Sequence, residues 1–487
     1  PELPEGWTVA TSGSTAYLWD GTAVGVDSEE TEGRWIGSSG GNWNDTANWT
    51  SNGDGANIPG GDLSVGVGFS GNRQLSVTND WPGAICCMSN LSAVASAGPY
   101  IISGRAMDML QPKNFRNDAE IASIESNSSF PLTIETTLGK YWTEEGKSRS
   151  YFNVFADNCA PVVLAGGGSL TNDLFRFRGD VRIGGNWVMC GLEPLLGNGR
   201  DTRLVLLPGA YLETTAQASS YQTVASSYHV SSGACMVIKG GEWRWSNTEN
   251  THFIDGVVTS ECPVVARKLQ TFIGDGVISL KKVQALRTGD LKFAGNITVR
   301  PGGWMTVRSG GNDQPTTMIV RDNATIGAWG DWTYGAEDGF ESSTRPADRA
   351  LKVVGGAKTR VSFDTEGNTV TLTDPLVVEK WSTVVKKGEG TLVLKSSENV
   401  LSDSEFELLG GELKIDGRQS FGKLTFGGGT MAIGSRFETD SYEEIFTAKE
   451  IVGDVAVSGR YRVKAVSDDN GVSVFVRRER GTAVIVR

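Results

Sequence analysis

The chain has 487 residues, of which 63 are glycine and 15 are proline, and 39% of its residues are apolar against 21% charged. This composition favours a buried core over disorder, and the lack of a strict glycine period excludes a collagen-like helix. The net charge of −12, and the absence of any apolar run near the ~18 residues of a membrane helix, lead us to expect no nucleic-acid partner and no membrane insertion.

The first predicted element is rich in tryptophan. The stretch "GRWIGSSGGNWNDTANW" at 33–49 places Trp35, Trp43 and Trp49 among Gly, Ser, Asn and Asp. A coiled β-structure has to cover the apolar cross-section of its first coil, and each indole can bury on the order of 200 Å². We therefore predict that residues 1–50 form an N-terminal segment and cap, in which the indoles either cover the first coil or pack inside it. Contact with another subunit and stacking on a ligand are the alternatives.

The middle of the chain carries an irregular repeat. Residues 173–187 ("DLFRFRGDVRIGGNW") and 290–304 ("DLKFAGNITVRPGGW") share an aromatic strand, a Gly turn, alternating Val or Ile, and Gly-Gly before Trp. The Gly-Gly turn and its short strand recur at intervals that suit coils of roughly 18–30 residues, the scale of β-solenoids; the starts are 184, 240, 302, 410 and 428.

Short alternating strands explain why such coils would stack. Segments such as "LTIETTL" (132–138) and "TLVLKS" (391–396) cannot bury their apolar face alone, whereas coiling pairs each strand with the next. Glycine at the corners permits sharp turns. We predict an all-β, right-handed parallel β-helix over 51–435. A series of immunoglobulin-like sandwiches is the second choice, because no hundred-residue period is visible.

One acidic and aromatic stretch is a candidate for ligand contact. In "GDWTYGAEDGFE" (330–341), Asp331 and Glu337 lie beside Trp332 and Tyr334. Glycoside chemistry uses paired carboxylates, and aromatic rings can stack on sugars. A solvated loop that projects from the solenoid is the alternative interpretation.

Other catalytic chemistry is sparse. The chain contains only two histidines, His229 and His252, which we predict at exposed strand or turn positions, and the cysteine spacing suits no zinc site. Nucleotide-binding, metalloprotease and serine-hydrolase motifs are absent. We therefore expect no catalytic residues, no metal and no cofactor, and predict that the protein is not an enzyme.

The segment 381–417, "WSTVVKKGEGTLVLKSSENVLSDSEFELLGGELKIDG", resembles the autotransporter-associated β-strand repeat. The matching positions are Lys386, Gly388, Gly390, Thr391, Leu392, Leu394, Asn399, Gly411 and Leu413. The N-terminal stretch is similar to the beginning of such proteins at Trp35, Gly37, Asn42, Trp43, Asn48 and Trp49. The resemblance implies a parallel β-helix that is exported to the bacterial cell surface or the extracellular space.

The predicted C-terminal segment, 436–487, departs from that family. Autotransporters typically end in a membrane barrel of many amphipathic strands, whereas 459–487 holds two or three short strands, so we expect this chain to lack the barrel. These strands are predicted to cap the solenoid. Alternatively, 482–487 adds to an open edge of the next molecule; the assembly residues are then Thr482, Ala483, Val484, Ile485 and Val486.

Three functions follow from these predictions. The favoured one is a secreted or cell-surface structural protein that self-assembles head to tail into a fibre, sheath or matrix, since unlike ends make contacts that do not close. The second is an adhesin or carbohydrate-binding protein, with surface glycans as partners and exposed aromatic rows on one face. The third is a polysaccharide lyase or hydrolase, which would show a lateral groove with clustered carboxylates and Arg or Lys.

Overall fold

The computed structural model of the protein is all-β, and its parallel strands form β-solenoid coils, about 12 in total, which confirms the predicted fold. The chain divides into two compact units, Pro1–Gly241 and Glu242–Arg487. The structure describes residues 8–12, 15–19, 32–35, 40–49, 66–69, 75–80, 87–88, 90–93, 97, 99–110, 113–114, 119–141, 150–157, 160–194, 202–215, 221–224, 227–245, 249–284, 289–307, 315–336, 344–437 and 440–479.

The first unit begins with an antiparallel hairpin and continues as parallel coils. The first unit also contains a short 3₁₀ helix, Thr46–Asn48. Its strands are β1 (Thr8–Ser12), β2 (Thr15–Trp19), β3 (Glu32–Trp35), β4 (Gly41–Asn42), β5 (Gly66–Phe69), β6 (Leu75–Asn79), β7 (Cys87–Met88), β8 (Asn90–Ala93), β9 (Tyr100–Gly104), β10 (Met107–Leu110), β11 (Lys113–Asn114), β12 (Ala119–Ser126), β13 (Leu132–Ile134), β14 (Leu138–Tyr141), β15 (Ser150–Ala156), β16 (Val162–Leu164), β17 (Gly168–Arg178), β18 (Asp180–Ile183), β19 (Asn186–Pro194), β20 (Arg203–Leu206), β21 (Tyr211–Thr215), β22 (Tyr221–Val224), β23 (Ser227–Val230) and β24 (Cys235–Lys239).

The second unit is built of parallel coils and ends in antiparallel strands. Its 3₁₀ helices are Pro346–Arg349, Gly356–Lys358 and Ser435–Phe437. Its strands are β25 (Glu242–Trp245), β26 (Asn250–Ile254), β27 (Val257–Ala266), β28 (Gln270–Gly274), β29 (Val277–Gln284), β30 (Leu291–Gly295), β31 (Thr298–Pro301), β32 (Trp304–Met305), β33 (Met318–Val320), β34 (Thr325–Ile326), β35 (Trp332–Gly335), β36 (Leu351–Val353), β37 (Arg360–Asp364), β38 (Thr369–Leu372), β39 (Leu376–Val378), β40 (Thr383–Lys387), β41 (Thr391–Leu394), β42 (Leu401–Leu408), β43 (Glu412–Ile415), β44 (Gln419–Phe426), β45 (Thr430–Ile433), β46 (Glu443–Val452), β47 (Tyr461–Asp468) and β48 (Gly471–Arg478).

The strands of the second unit lie in three parallel stacks, the first of which ends at β39. The coil of β36, β37 and β38 illustrates this, because these strands pair in turn with β39, β40 and β41 of the next coil. We call the stack of β36 the first stack, that of β37 the second and that of β38 the third. The long strands β27 and β29 bend at a corner, so that one half lies in the second stack and the other half in the third.

The register of the strands shows that the coils differ in length. In a short coil, Leu413 lies beside Met431, which follows it by 18 residues (431 − 413). In a long coil, Trp332 lies beside Val370, which follows it by 38 residues (370 − 332). The long coil includes the 3₁₀ helices Pro346–Arg349 and Gly356–Lys358, which the short coil lacks. The short coil agrees with the predicted length of roughly 18–30 residues, and the long coil exceeds it.

Inward side chains stack on their equivalents in successive coils. Val370, Leu392, Leu413 and Met431 form one such ladder in the third stack, and all four are fully buried. Because strand side chains alternate in direction, the residues between them face outwards. Burial of these ladders is the main source of stability, at about 25 cal/mol for each Å² of apolar surface removed from water.

The repeat-like segment 381–417 places a lysine inside a corner. Lys386 is fully buried, and its Nζ donates to the carbonyl oxygens of Lys387 at 2.9 Å, Gly388 at 3.1 Å and Gly410 at 3.4 Å. Burial lowers the pKa of this ammonium to about 8, although nearby Asp364 acts in the opposite direction. The lysine of the motif thus ties together carbonyl groups of two adjacent coils.

Candidate functional site

The three N-terminal tryptophans form one buried cluster. The rings of Trp35 and Trp49 lie 5.2 Å apart and those of Trp43 and Trp49 lie 4.9 Å apart, both edge to face. Trp49 Nε1 donates to the carbonyl oxygen of Trp43 at 2.7 Å. None of the three is more than 1% exposed, so the cluster offers no open ring face to a ligand in this structure.

The strands that hold the cluster already belong to the parallel stacks. Trp35 ends β3, which pairs in parallel with β5, while β4 immediately precedes Trp43 and pairs in parallel with β6. β3 and β4 therefore belong to the parallel coils of the first unit, within the predicted N-terminal segment 1–50. Whether the cluster serves as a cap or as an assembly contact stays a prediction.

The second unit carries a lateral groove with a volume of about 1560 Å³. It lies at the corner between the second and third stacks, where Gly302 and Gly303 connect β31 to β32. The preceding coil presents Lys281 and Lys282 at the same corner, and the following coil presents Trp329. Because the two glycines have no side chains, their corner is recessed between the larger residues of its neighbours.

The two glycines differ in how closely they are packed. A Cβ atom on Gly302 would lie 2.6 Å from the carbonyl oxygen of Lys281, so this position tolerates no side chain without a shift of the backbone. A Cβ atom on Gly303 would meet only Lys282 Cγ, at 4.0 Å. Gly303 therefore leaves open space that a larger residue could fill.

Aromatic and charged side chains line the recess. Trp329 is 38% exposed, and its backbone N–H donates to the carbonyl oxygen of Pro301 at 2.9 Å. Lys281 and Lys282 are both exposed, since the strand bends between them. Within the described part of the chain, neither lysine has an ion-pair partner. Glu261 also lines the groove, from one coil further back.

The predicted ligand-contact residues separate into three groups. Asp331 and Trp332 line the groove, and Asp331 Oδ1 accepts a hydrogen bond from the backbone N–H of Thr369 at 2.6 Å. Tyr334 is fully buried, with its hydroxyl group between the Met318 N–H and the Arg349 carbonyl oxygen, so it does not face the groove. Burial raises the pKa of Tyr334 well above its ordinary value. Glu337 lies outside the described residues.

Trp332 has an unusual environment. Only 4% of this residue is exposed, and its Nε1 has no hydrogen-bond acceptor among the described residues. A buried N–H group without an acceptor is rare and calls for an explanation. Trp332 pairs with the core residue Val370 and shares the inward face of β35 with Tyr334, so this donor lies in the core beneath the groove.

Sequence reasoning missed most of this site. Trp329 and the adjacent Lys281 and Lys282 received no role, although the lysine pair interrupts the alternation of "VISLKKVQ". The pair Gly302–Gly303 was noted only as a turn.

The C-terminal strands form a second candidate site. Strand β46 pairs in parallel with β44 and antiparallel with β48, and β47 pairs antiparallel with β48. Both edges of β48 are therefore occupied, and β47 has no second partner strand among the described residues. Residues 462–468 are exposed, including Val463 at 40% and Val466 at 42%. The predicted assembly residues, Thr482–Val486, lie outside the described residues.

The prediction of an exposed His252 was wrong. This residue is fully buried, its ring stacks on Phe272 at 4.7 Å, and its Nε2 lies 3.2 Å from Gln270 Oε1. A neutral imidazole can take the place of a ring in an aromatic ladder when one nitrogen has a polar partner. His229 is half-buried, and burial lowers its pKa.

The described residues contain no group of three or more His, Cys, Asp or Glu side chains placed to hold a metal ion. No helix among them is both long enough and apolar enough to cross a membrane. That the protein is not an enzyme and uses no cofactor stays a prediction.

Comparison with known proteins yields no relative: no family model, no curated protein and no solved structure matches the chain.

Proposed function

We propose that this protein is an extracellular structural protein whose copies assemble head to tail into a fibre, sheath or matrix. The observation that carries the proposal is the open edge of β47, whose residues 462–468 are exposed. An exposed edge strand presents unpaired N–H and C=O groups and is a ready template for a strand of another chain. The location outside the cell rests on the resemblance of 381–417 to the autotransporter-associated repeat.

The apolar pattern of the hairpin supports a partner at this edge. Val463 and Ala465 of β47 lie opposite Val476 and Val474 of β48 in the antiparallel register. The two β48 valines are fully buried, whereas both β47 residues are exposed. A row of apolar side chains thus runs from the buried face of β48 to the exposed strand β47. A further strand paired with β47 would bury the exposed end of this row.

The segment that follows β48 is the proposed donor. Strand β48 pairs with β46 along one edge and with β47 along the other. It therefore has no free edge on which the residues after Glu479 could pair as a hairpin. The stretch 482–487, "TAVIVR", is strongly apolar and rich in β-branched residues. We propose that it adds to the open edge of a neighbouring copy.

Negative-stain electron microscopy of the purified full chain, beside a variant that lacks 482–487, tests the proposal. We expect filaments or sheets from the full chain and single particles from the truncated one. The double variant Val463→Lys and Val466→Lys, which places edge lysines on β47, should also block assembly. Val257→Lys is the matched control, since Val257 is 41% exposed on the lateral strand β27. Filaments of unchanged length from the truncated chain would refute strand donation.

A further inference from the structure

We propose that the lateral groove of the second unit binds an anionic polysaccharide, with a sugar ring against Trp329 and an acidic group of the same chain at Lys281 and Lys282. This inference does not depend on self-assembly, because the groove is complete within one copy.

The size and position of the groove favour a chain over a small molecule. Pockets for small ligands typically enclose about 300–1,000 Å³, and this groove exceeds that range, at about 1560 Å³. Its residues come from successive coils, from Glu261 to Thr371. A long polymer can cross several coils, whereas a compact ligand would leave much of this surface empty.

Trp329 supplies the stacking surface. It is 38% exposed, and its N–H to Pro301 bond fixes the backbone at that corner. The face of an indole is electron-rich, and it attracts the weakly positive C–H groups on the flat side of a pyranose ring. The neighbouring recess at Gly303 has the open space that the next sugar of the chain requires.

Lys281 and Lys282 select for a negatively charged ligand. Some lateral cations of the unit pair with carboxylates of other coils, as Arg300 does with Glu366 and Arg360 with Glu407. Lys281 and Lys282 have no ion-pair partner within the described residues, and they lie next to each other beside the recess. The nearby carboxylate of Asp331 already accepts the Thr369 N–H. Two adjacent ammonium groups in a recess therefore favour a carboxylate or sulfate group on the ligand.

Two outward threonines provide further polar contacts. Exposed Thr333 and half-buried Thr371, which pair in the third stack, add hydroxyl groups on the groove surface. Stacking, charge and hydroxyl contacts together are what an acidic sugar chain requires.

Isothermal titration calorimetry of the full chain with oligogalacturonate, and with cellohexaose as the neutral probe, tests the inference. We expect oligogalacturonate to bind, and to bind more weakly as NaCl rises from about 50 to about 300 mM, because salt screens the two lysines. Cellohexaose should bind at least tenfold more weakly. Equal binding of both probes would overturn the assignment of an anionic ligand, and no binding of either would overturn the site.

Variants locate the binding. Trp329→Ala and the double variant Lys281→Ala, Lys282→Ala should each weaken oligogalacturonate binding at least tenfold, and Gly303→Phe should abolish it by filling the recess. Trp381→Ala is the matched control, because Trp381 is 68% exposed and does not line the groove. Thermal unfolding checks that each variant folds. Binding that survives in the groove variants, or falls equally in the control, would place the ligand elsewhere.

Discussion

Substitution of Lys386 by Met tests how the corner of the repeat-like segment is stabilised. The change keeps most of the apolar stem and removes the ammonium that bonds the carbonyl oxygens of Lys387, Gly388 and Gly410. A hydrogen bond to a charged group contributes about 1.5–3 kcal/mol, and release of a buried charge offsets part of that loss. We expect the free energy of unfolding to fall by about 1–3 kcal/mol at pH 7.

The pH dependence of this effect has a defined sign. Lys386 has a pKa of about 8 in the folded protein, below its ordinary value of 10.5. Between these two values the unfolded chain holds a proton that the folded chain has released, so the stability of the wild type rises with pH. The stabilisation is lost as pH falls through 8. From pH 7 to pH 9.5 the gain is about 2 kcal/mol, and the Met variant lacks it.

Urea unfolding of wild type and Lys386→Met, followed by tryptophan fluorescence at pH 7, 8, 9 and 9.5, measures the difference between the two proteins. That difference should widen by about 2 kcal/mol across the series. Because the two proteins share all other titratable groups, the effects of those groups cancel in the difference between the two free energies of unfolding. Lys414→Met, at a half-buried lateral position on β43, is the control for the removal of one lysine. A difference for Lys386→Met that changes with pH no more than that of Lys414→Met would refute the stated cause.

Three further substitutions address stability, and thermal unfolding by circular dichroism measures each. Gly390→Ala should cost about 2–4 kcal/mol, because φ is +87° and the new Cβ would lie 2.3 Å from the Asn368 carbonyl oxygen. Asp374→Asn should cost about 3–5 kcal/mol, since it leaves the largely buried Arg349 without its ion-pair partner at 2.8 Å. Trp49→Phe should cost about 1–3 kcal/mol through the lost indole hydrogen bond and the cavity. A loss no larger than that of an ordinary surface substitution, about 0.5 kcal/mol, would contradict the cause stated for that variant.

The fold could be predicted from the sequence because a solenoid is built from short local patterns of strands and turns. The strand predicted at 391–396 is β41, and the glycine corners fall between strands as expected. Corners that lack glycine were harder to locate. The stretch 132–138 was predicted as one strand, but it contains β13, a corner and the start of β14. Its inward residues alternate without a break through the corner, so the period of two conceals the bend.

The sites were less visible in the sequence because they depend on contacts between coils. Asp331 and Trp332, which were predicted as ligand contacts from an acidic and aromatic stretch, line the groove, and their contact with a ligand stays a prediction. Tyr334 belongs to the same stretch, yet strand alternation turns it into the core. Trp329 gains its role from Gly303, and only the register of β32 on β35 reveals that they are neighbours.

Both candidate sites lie where the repetition of the second unit is interrupted. In the regular coils, some outward cations pair with a carboxylate on another coil, as Arg360 does with Glu407. The glycine corner places Lys281 and Lys282 side by side at a recess instead. At the C-terminal end, pairing changes from parallel to antiparallel at β46–β48, and β47 has no second partner strand within the described part of the chain. The recess and the edge strand are therefore the two features that distinguish these places from the regular surface of the unit, and each offers a partner a different kind of contact.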